Sequence, residues 1–598
     1  MITQKIKFGI DRKEISHFTS IELHQTINKH HNFTIKVPHS VIEEPRAYTM
    51  QNAQNWLGKT VHIALENQNN FIGIVTDVKF ELKEDIVGNQ IIISGHSKTE
   101  ILESGSKMYS WEEVTLKEIV EGVLKKGVGK YRELKNEINP EYKQTIKYQT
   151  QYNETDFQFL QRLAKQYNEW FYYNGEILIF GKPTKFDKEI PLLLGIDLSK
   201  FVMGLKTIPH HFSSFTYDEN QDVSYMSKTN QEIKPMSRLG KFAIDASAIL
   251  YNTHSLEHGK ISTGHEGALE QLLNAKQQSA IAKSNTISAK SRNPKLKVGS
   301  IIEIGFQEKL PTNLAAINNI PQSKINYIDT YIITKITHKA NEIGEYFNSF
   351  SALPVNITKL PEPKIKFPNA KLQEAVVVDN NDPKGTGRIR VKMEWQQGSM
   401  RTPWLRVMTP DAGSSAEVGT NRGMVFIPEI GDHVLLGFRH NDPNRPLVIG
   451  SLFHGKNSSG GGAKNKEKSL RSKTGNNITL DDSIGKGAVL INDAIGNSLT
   501  FDGSGNTVAQ AGDTNVINVG KSAESHFKMD KDGNIALEGK NSFKVTVGKS
   551  ILELLADGTI NLNGKKFKLD ATDTMDIASA KNHISGESKL DGGDVFIN

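Results

Sequence analysis

The chain contains no cysteine among its 598 residues, which excludes disulfide frameworks, thiolate metal sites and cysteine nucleophiles together. It also lacks any run near the roughly 18 consecutive apolar residues that a membrane-spanning helix needs. The opening residues, MITQKIKFGIDRKE, have no apolar stretch of the kind a secretory signal requires. The chain is therefore expected to be made soluble and, if exported, to leave by an unusual route. Charge of one sign is equally scarce, since 73 Lys and Arg against 67 Asp and Glu leave an excess of only +6. Without a local basic patch this gives no case for a nucleic-acid partner. The most basic short run, KKGVGKYRELK after Leu124, is broken by Glu and Gly and reads as a solvated helix end.

Hydrophobic residues make up 37% and charged residues 23%, ordinary values for a globular protein, so wholesale disorder is excluded. At roughly 100 to 200 residues per domain the length allows about three to six domains. Up to about residue 100 the pattern alternates in NFTIKV, KTVHIAL and NQIIISGH, which predicts strands. TLKEIVEGVLKKG then places Leu116, Ile119, Val120, Val123 and Leu124 on one helical face, with Gly127 as a stop. In QYNETDFQFLQRLAKQYNEWFYYNG, Thr155 followed by Gln158 fits a capping box, and Phe157, Leu160, Leu163 and Tyr167 form an apolar stripe suited to a core. A third helix is expected from Gly267 to about Ile287. The prolines of LPVNITKLPEPKIKFP mark an extended linker. After it, EAVVVDN, GRIRVKMEW, PWLRVMTP, GMVFIPE, DHVLLGF and PLVIGSLF predict five or six short strands that must close into a small barrel to hide their edges.

From Asn476 onward the strands become thin. Ile478 with Leu480, Val489 with Ile491, Leu499 with Phe501, Ile535 with Leu537, Phe543 with Val545 and Val547, and Ile560 with Leu562 stand at a spacing of two, between polar residues. Strands are also expected at KKFKLDA, TMDIAS and DVFIN, with turns at Asp502–Gly503, Asp532–Gly533, Asp557–Gly558 and Asp591–Gly592. One chain alone buries only one side of such strands and leaves backbone groups unpaired at its edges. Three copies wound about one axis, each strand pairing with strands of neighbouring chains, solve both problems. The alternative, an ordinary single-chain β-solenoid, would prefer a more regular repeat and larger apolar layers. About a dozen strands stacked at roughly 4.8 Å make a prism on the order of 60 Å long.

Two stretches carry a family resemblance. Residues Gln151 to Gly175 resemble the hub signature of VgrG, the valine-glycine repeat spike protein of type VI secretion systems. Residues Gly385 to Lys456 resemble that family's OB-fold domain, with Gly387, Arg388, Pro428, Gly431, Asp432, Phe438, Asp442, Pro443, Arg445, Pro446 and Gly450 in the family order. The expected fold is mainly β with a few helices. A phage-hub-like region of β-barrels with inserted helices spans 1–370, an OB-fold domain 371–455, a connector 456–475, and a triple-stranded intertwined β-helix of a homotrimer 476–598. Val-Gly pairs, which name the family, occur in the tail only at Val519–Gly520 and Val547–Gly548. The connector is too short for the lysozyme domain that related phage spikes carry, and no enzymatic extension is expected after Asn598.

The resemblance implies a non-enzymatic spike that caps a sixfold, Hcp-like tube ring, punctures membranes and carries effectors. It also implies baseplate partners and a PAAR-repeat tip protein seated on Asp594, Val595, Phe596, Ile597 and Asn598. The spike would be cytoplasmic before firing and secreted or delivered into a target cell after it. No catalytic, cofactor or metal residue is expected. HSLEH, His254 to His258, fits an inverted zinc-protease spacing, but no third ligand accompanies it, and a turn near a strand is the better reading. Both VGKS stretches lack the earlier glycine of a phosphate-binding loop. The pairs His30–His31 and His210–His211 are read as surface or loop residues. Three alternatives stay open: a phage-tail or extracellular contractile injection hub, a trimeric glycan-binding tailspike, and a cell-wall or zinc hydrolase.

Overall fold

A computed structural model of the chain describes residues 6–44, 49–66, 69–82, 88–129, 133–219, 221–230, 233, 237–261, 266–309, 323–457, 460–483, 485, 487–589 and 591. The chain divides into two compact units, residues 1–454 and 455–598.

In the first unit the alternating stretches pair as antiparallel strands. Ser20–Thr26, Asn32–Pro38 and Gln90–Ser97 bury every second residue. The register sets Ile21 opposite Ile35 and Ile35 opposite Ile93, so one face of this sheet is continuous aliphatic surface. The Leu116–Val128 and Asp156–Tyr167 helices contribute Ile119, Val120, Phe159, Leu160 and Leu163 to the same core. Both helices start with a reciprocal capping box, Thr115 with Glu118 and Thr155 with Gln158. The first runs past Gly127 to Val128 and ends at Gly129, where φ is 67°. Gly127 serves close approach instead of termination, because a Cβ there would lie 2.6 Å from the Asp156 carboxylate and 2.9 Å from Leu102.

Among the described residues these strands belong to a thirteen-stranded sheet, one end of which closes on itself. Going round, Ile301–Lys309, Ile190–Leu194, Leu198–Leu205, Asn285–Ser291, Tyr346–Pro354 and Ser323–Asn341 pair in turn, and the last pairs back to the first. The long Ser323–Asn341 strand reaches from this barrel to Ser20–Thr26 and joins it to the open part of the sheet. Leu192, Ile287, Ile302, Ile333 and Phe350 fill the barrel core. The third expected helix is Glu266–Ile281, shorter than the sequence predicts. Residues 285–291 are claimed by the barrel, where Ile287 and Ala289 are buried: tertiary packing overrides the helical pattern.

Residues 373–452 form a small four-stranded sheet of Gln373–Asp379, Arg390–Met393, His433–Phe438 and Pro446–Leu452. Bridges from Ile389 to Leu405 and from Val407 to Val448 close it around Val377, Val391, Leu436 and Val448. Two expected strands are reduced: PWLRVMTP makes only these bridges, and in GMVFIPE only Gly423 pairs, leaving Met424, Val425 and Phe426 exposed. Gly431 has φ 95°, as its turn in PEIGD requires.

The second unit is an antiparallel meander in three sheets. Among the described residues they hold five, three and three strands, from Glu467–Arg471 to Ile560–Asn563. Among the described residues the strand pairing runs within the chain, each strand bonded to its sequence neighbour in the same sheet. The cause is the turn chemistry. Ser472–Asn476, Asp493–Asn497, Asp502–Asn506, Asp530–Asn534 and Leu555–Thr559 are equivalent loops in which the first N–H donates to the fifth carbonyl. The fourth residue of each, Gly475, Gly496, Gly505, Gly533 or Gly558, has φ between 83° and 98°. The strands expected at KKFKLDA and TMDIAS are absent from residues 564–589, which carry no regular structure. DVFIN lies outside the described residues.

Candidate functional site: the hub–barrel junction and the open face of the tail

In the first unit, the two motifs that carry the resemblance meet. The Asp156–Tyr167 helix buries Arg162, whose guanidinium donates to both oxygens of Glu154 at 2.7 and 2.8 Å, to Gln166 at 3.1 Å and to the Thr150 carbonyl at 2.5 Å. Thr150 in turn donates its N–H and its hydroxyl, each at 2.7 Å, to the side-chain carbonyl of Asn444. Asn444 lies in HNDPNRP, so a continuous set of hydrogen bonds links the hub helix to the small barrel. Arg445, next along, is buried and donates to the Gly259 carbonyl at 2.6 Å and to His258 Nε2 at 2.5 Å. Arg390 pairs with Glu112 and Arg439 with Glu219, at 2.6 and 3.0 Å, and Gln396 donates to Ser110 at 2.9 Å. These bonds span hundreds of residues in sequence, which is why the motif residues looked merely like turn formers.

His258 must be neutral to accept from Arg445, and burial, then the Arg445 charge, push its pKa down to about 3. Its ring stacks on His440 at 3.7 Å. HSLEH does not sit on a helix: Ser255–His258 is a strand, so the zinc-protease spacing has lost the geometry it needs. Among the described residues no cluster of three His, Asp or Glu side chains is placed to hold a metal ion. The histidine pairs lie in loops, as expected, but not all on the surface. His31 and His210 are buried, and His30 stacks on Phe157 at 3.6 Å. Aromatic neighbours in the hub core accept these rings as flat, half-apolar groups.

In the second unit, cross-strand register gathers the thin-strand residues into columns. Leu470, Ile478, Ile491, Leu499 and Ala509 stand opposite one another in the first sheet, beside Leu480, Val489 and Phe501. Ile517, Phe527 and Leu537 line the second sheet; Phe543, Leu554 and Ile560, with Val545, Leu552 and Leu562, line the third. The opposite faces are largely polar, as where Lys544 pairs with Glu553 at 3.0 Å. Among the described residues these columns stay largely open to solvent: Ile517 is 60% exposed, Ile535 68% and Ile560 63%. The hairpins satisfy the backbone and leave the apolar face without cover. Their loops are stiff: Asp502 accepts from the N–H groups of Ser504 and Asn506 and from the Asn506 side chain, at 2.7 to 3.0 Å, and the Asn506 side chain leads in holding the carboxyl below its usual range. The D-x-x-G-N spelling at Asp493, Asp502 and Asp530 was the signal for these loops.

The sequence pattern of the phage tail baseplate hub (GPD) matches residues 27–191, and that of the type VI secretion system/phage-baseplate injector OB domain matches residues 373–453. The two matches stand in the order hub, then OB domain, along the chain. Among curated proteins it is similar to the type VI secretion system spike protein VgrG1a of Pseudomonas aeruginosa, 27% identical over 269 residues and covering 38% of each chain. It is also similar to the actin cross-linking toxin VgrG1 of Vibrio cholerae, 22% identical over 339 residues, 52% of this chain and 28% of the relative. The chain thus spans well under half the length of these relatives. Of solved structures, the half-lidded PdpA–VgrG complex of Francisella superposes with a TM-score of 0.53 at 10% identity, covering 85% of this chain and 88% of that one, a likeness of fold. The expected tip residues Asp594, Val595, Phe596, Ile597 and Asn598 lie outside the described residues. No helix among the described residues is long and apolar enough to cross a membrane.

Proposed function

We propose that the chain is the hub and spike of a contractile injection machine of the type VI secretion class, acting mechanically and without catalysis. The observation that carries the reading is the tail: paired sheets whose apolar columns have no cover among the described residues. Burying that face takes further copies, and three chains around one axis meet the need with one repeated contact. A rod built this way has its backbone bonded along its length and resists bending. The matched hub and OB patterns support the same reading, as does the similarity to a relative named as a type VI secretion system spike protein.

On this reading the hub seats on a sixfold, Hcp-like tube ring within a baseplate. The rod breaches a target membrane and delivers effectors, and a PAAR-repeat cone sits on residues 594–598. The chain is cytoplasmic before firing and released afterwards. Producer cells whose only copy lacks residues 476–598 should stop releasing the tube-ring protein into the medium, and undiminished release would count against the reading. Removing residues 591–598 should abolish cone binding while leaving the rest of the assembly intact. A phage-tail hub remains the second reading, because both matching domain families include phage baseplate proteins.

A further inference from the structure

Beside the junction the first unit holds a cleft of about 370 Å³, within the range of side-chain and small-ligand sites. Its floor is aliphatic, with Leu269, Leu272 and Leu273 from the Glu266–Ile281 helix. At its mouth Phe367 lies between two ammonium groups, Lys165 at 5.5 Å and Lys260 at 5.3 Å from the ring centre. Lys165 donates to the Ile365 carbonyl at 2.8 Å, and Lys276 pairs with Glu257 at 2.5 Å. Lys260 has no carboxylate partner among the described residues. Lys283, half-buried nearby, is crowded by Lys364, Lys165 and Lys206, and its pKa is lowered by burial first. Glu362, which acts on Lys283, lines the cleft together with Glu257, against Lys165, Lys260 and Lys276. Cations thus outnumber carboxylates around an apolar hole.

We propose that this cleft is a docking site for an acidic peptide segment that carries one bulky apolar anchor, the anchor resting on the three leucines and the flanking carboxylates meeting Lys165 and Lys260. Charge complementarity selects the occupant. An uncharged apolar segment would leave the lysines crowded, and a purely acidic one would leave the leucines wet. Cation–π contact holds both lysines at the rim, where their ammonium groups meet an incoming carboxylate at little entropic cost. The inference does not depend on the spike reading, because it uses only the cleft and its charges.

The test is fluorescence anisotropy with the full chain and a labelled hexapeptide, Glu-Glu-Leu-Phe-Glu-Glu. Two control peptides accompany it: Gln replaces every Glu in one, and Ser replaces Leu and Phe in the other. Saturable binding of one peptide per chain is expected, at least tenfold weaker for each control and weakening steeply between 50 and 300 mM salt. Lys260→Gln, at an exposed position, should weaken binding severalfold without changing the unfolding midpoint, and adding Lys165→Gln, which also removes the bond to Ile365, should bring the loss to at least tenfold. Leu272→Ser should weaken the peptide and leave its salt dependence in place. Equal binding of all three peptides, or no saturable binding, would overturn the proposal. So would binding to phosphatidylglycerol vesicles with none to the peptide, which would assign the cleft to a lipid.

Discussion

Replacing Ile535 and Leu537 together by serine separates a face that awaits other chains from one that is merely exposed. The two side chains are 68% and 51% exposed and lie on the same side of their sheet, opposite Met529 and Phe527. At about 2.5 kcal/mol for full burial of a large aliphatic side chain, covering those fractions contributes roughly 3 kcal/mol per chain. In a three-chain assembly the loss is on the order of 9 kcal/mol, or about six decades in the association constant. In a lone chain the same change forfeits only the part already buried, about 2 kcal/mol of tail stability, and leaves association untouched. Sedimentation velocity across a dilution series reads the difference, with Lys528→Ala on the opposite face as the control. The variant should dissociate at concentrations where wild type and control stay associated. If all three dissociate alike, the apolar columns are not an interface and the reasoning fails.

Three further outcomes follow from the same structure. Arg162→Met leaves Glu154 buried without its cation and should cost roughly 3 to 5 kcal/mol of hub stability in chemical unfolding, whereas Asn444→Ala strands two Thr150 donors and should cost about 2 kcal/mol. Gly505→Ala forces a side chain onto φ 97° and should destabilise its hairpin by roughly 1 to 2 kcal/mol, read as faster amide exchange on both flanking strands. His31 and His338 are buried with pKa values pushed by desolvation to about 3. The native state therefore stays neutral while the unfolded chain takes up protons below about pH 6.5, and stability falls as pH drops from there towards 3, at up to about 1.4 kcal/mol per unit for each. Denaturant unfolding at pH 7 and pH 5 should differ in that direction, and His338→Gln should flatten the slope.

Local signals were legible in the sequence. Thr155 with Gln158 caps its helix, and the alternation of Ser20–Thr26 and Asn32–Pro38 forms the hub sheet. Each depends on neighbours within a few residues. Long-range competition was not legible: Ile287 and Ala289 go to the barrel although their stretch suits a helix, and Gly127 answers to Asp156, 29 positions on. The junction was equally silent, because nothing near Asn444 hints that its acceptor faces Thr150. In the tail the apolar spacing of two was legible, and the D-x-x-G-N hairpin loops between the strands were not singled out. The D-x-x-G-N loops make hairpins, so neighbouring strands bond within the chain, and only the face awaits partners.

The central claim is that the apolar face of the tail is buried by further copies of the chain. Light scattering coupled to size exclusion, on the full chain at micromolar concentration, tests it most directly. One chain has a mass of 66.5 kDa. The account predicts a single species of three such masses, about 200 kDa, and a stable 66.5 kDa monomer would contradict it.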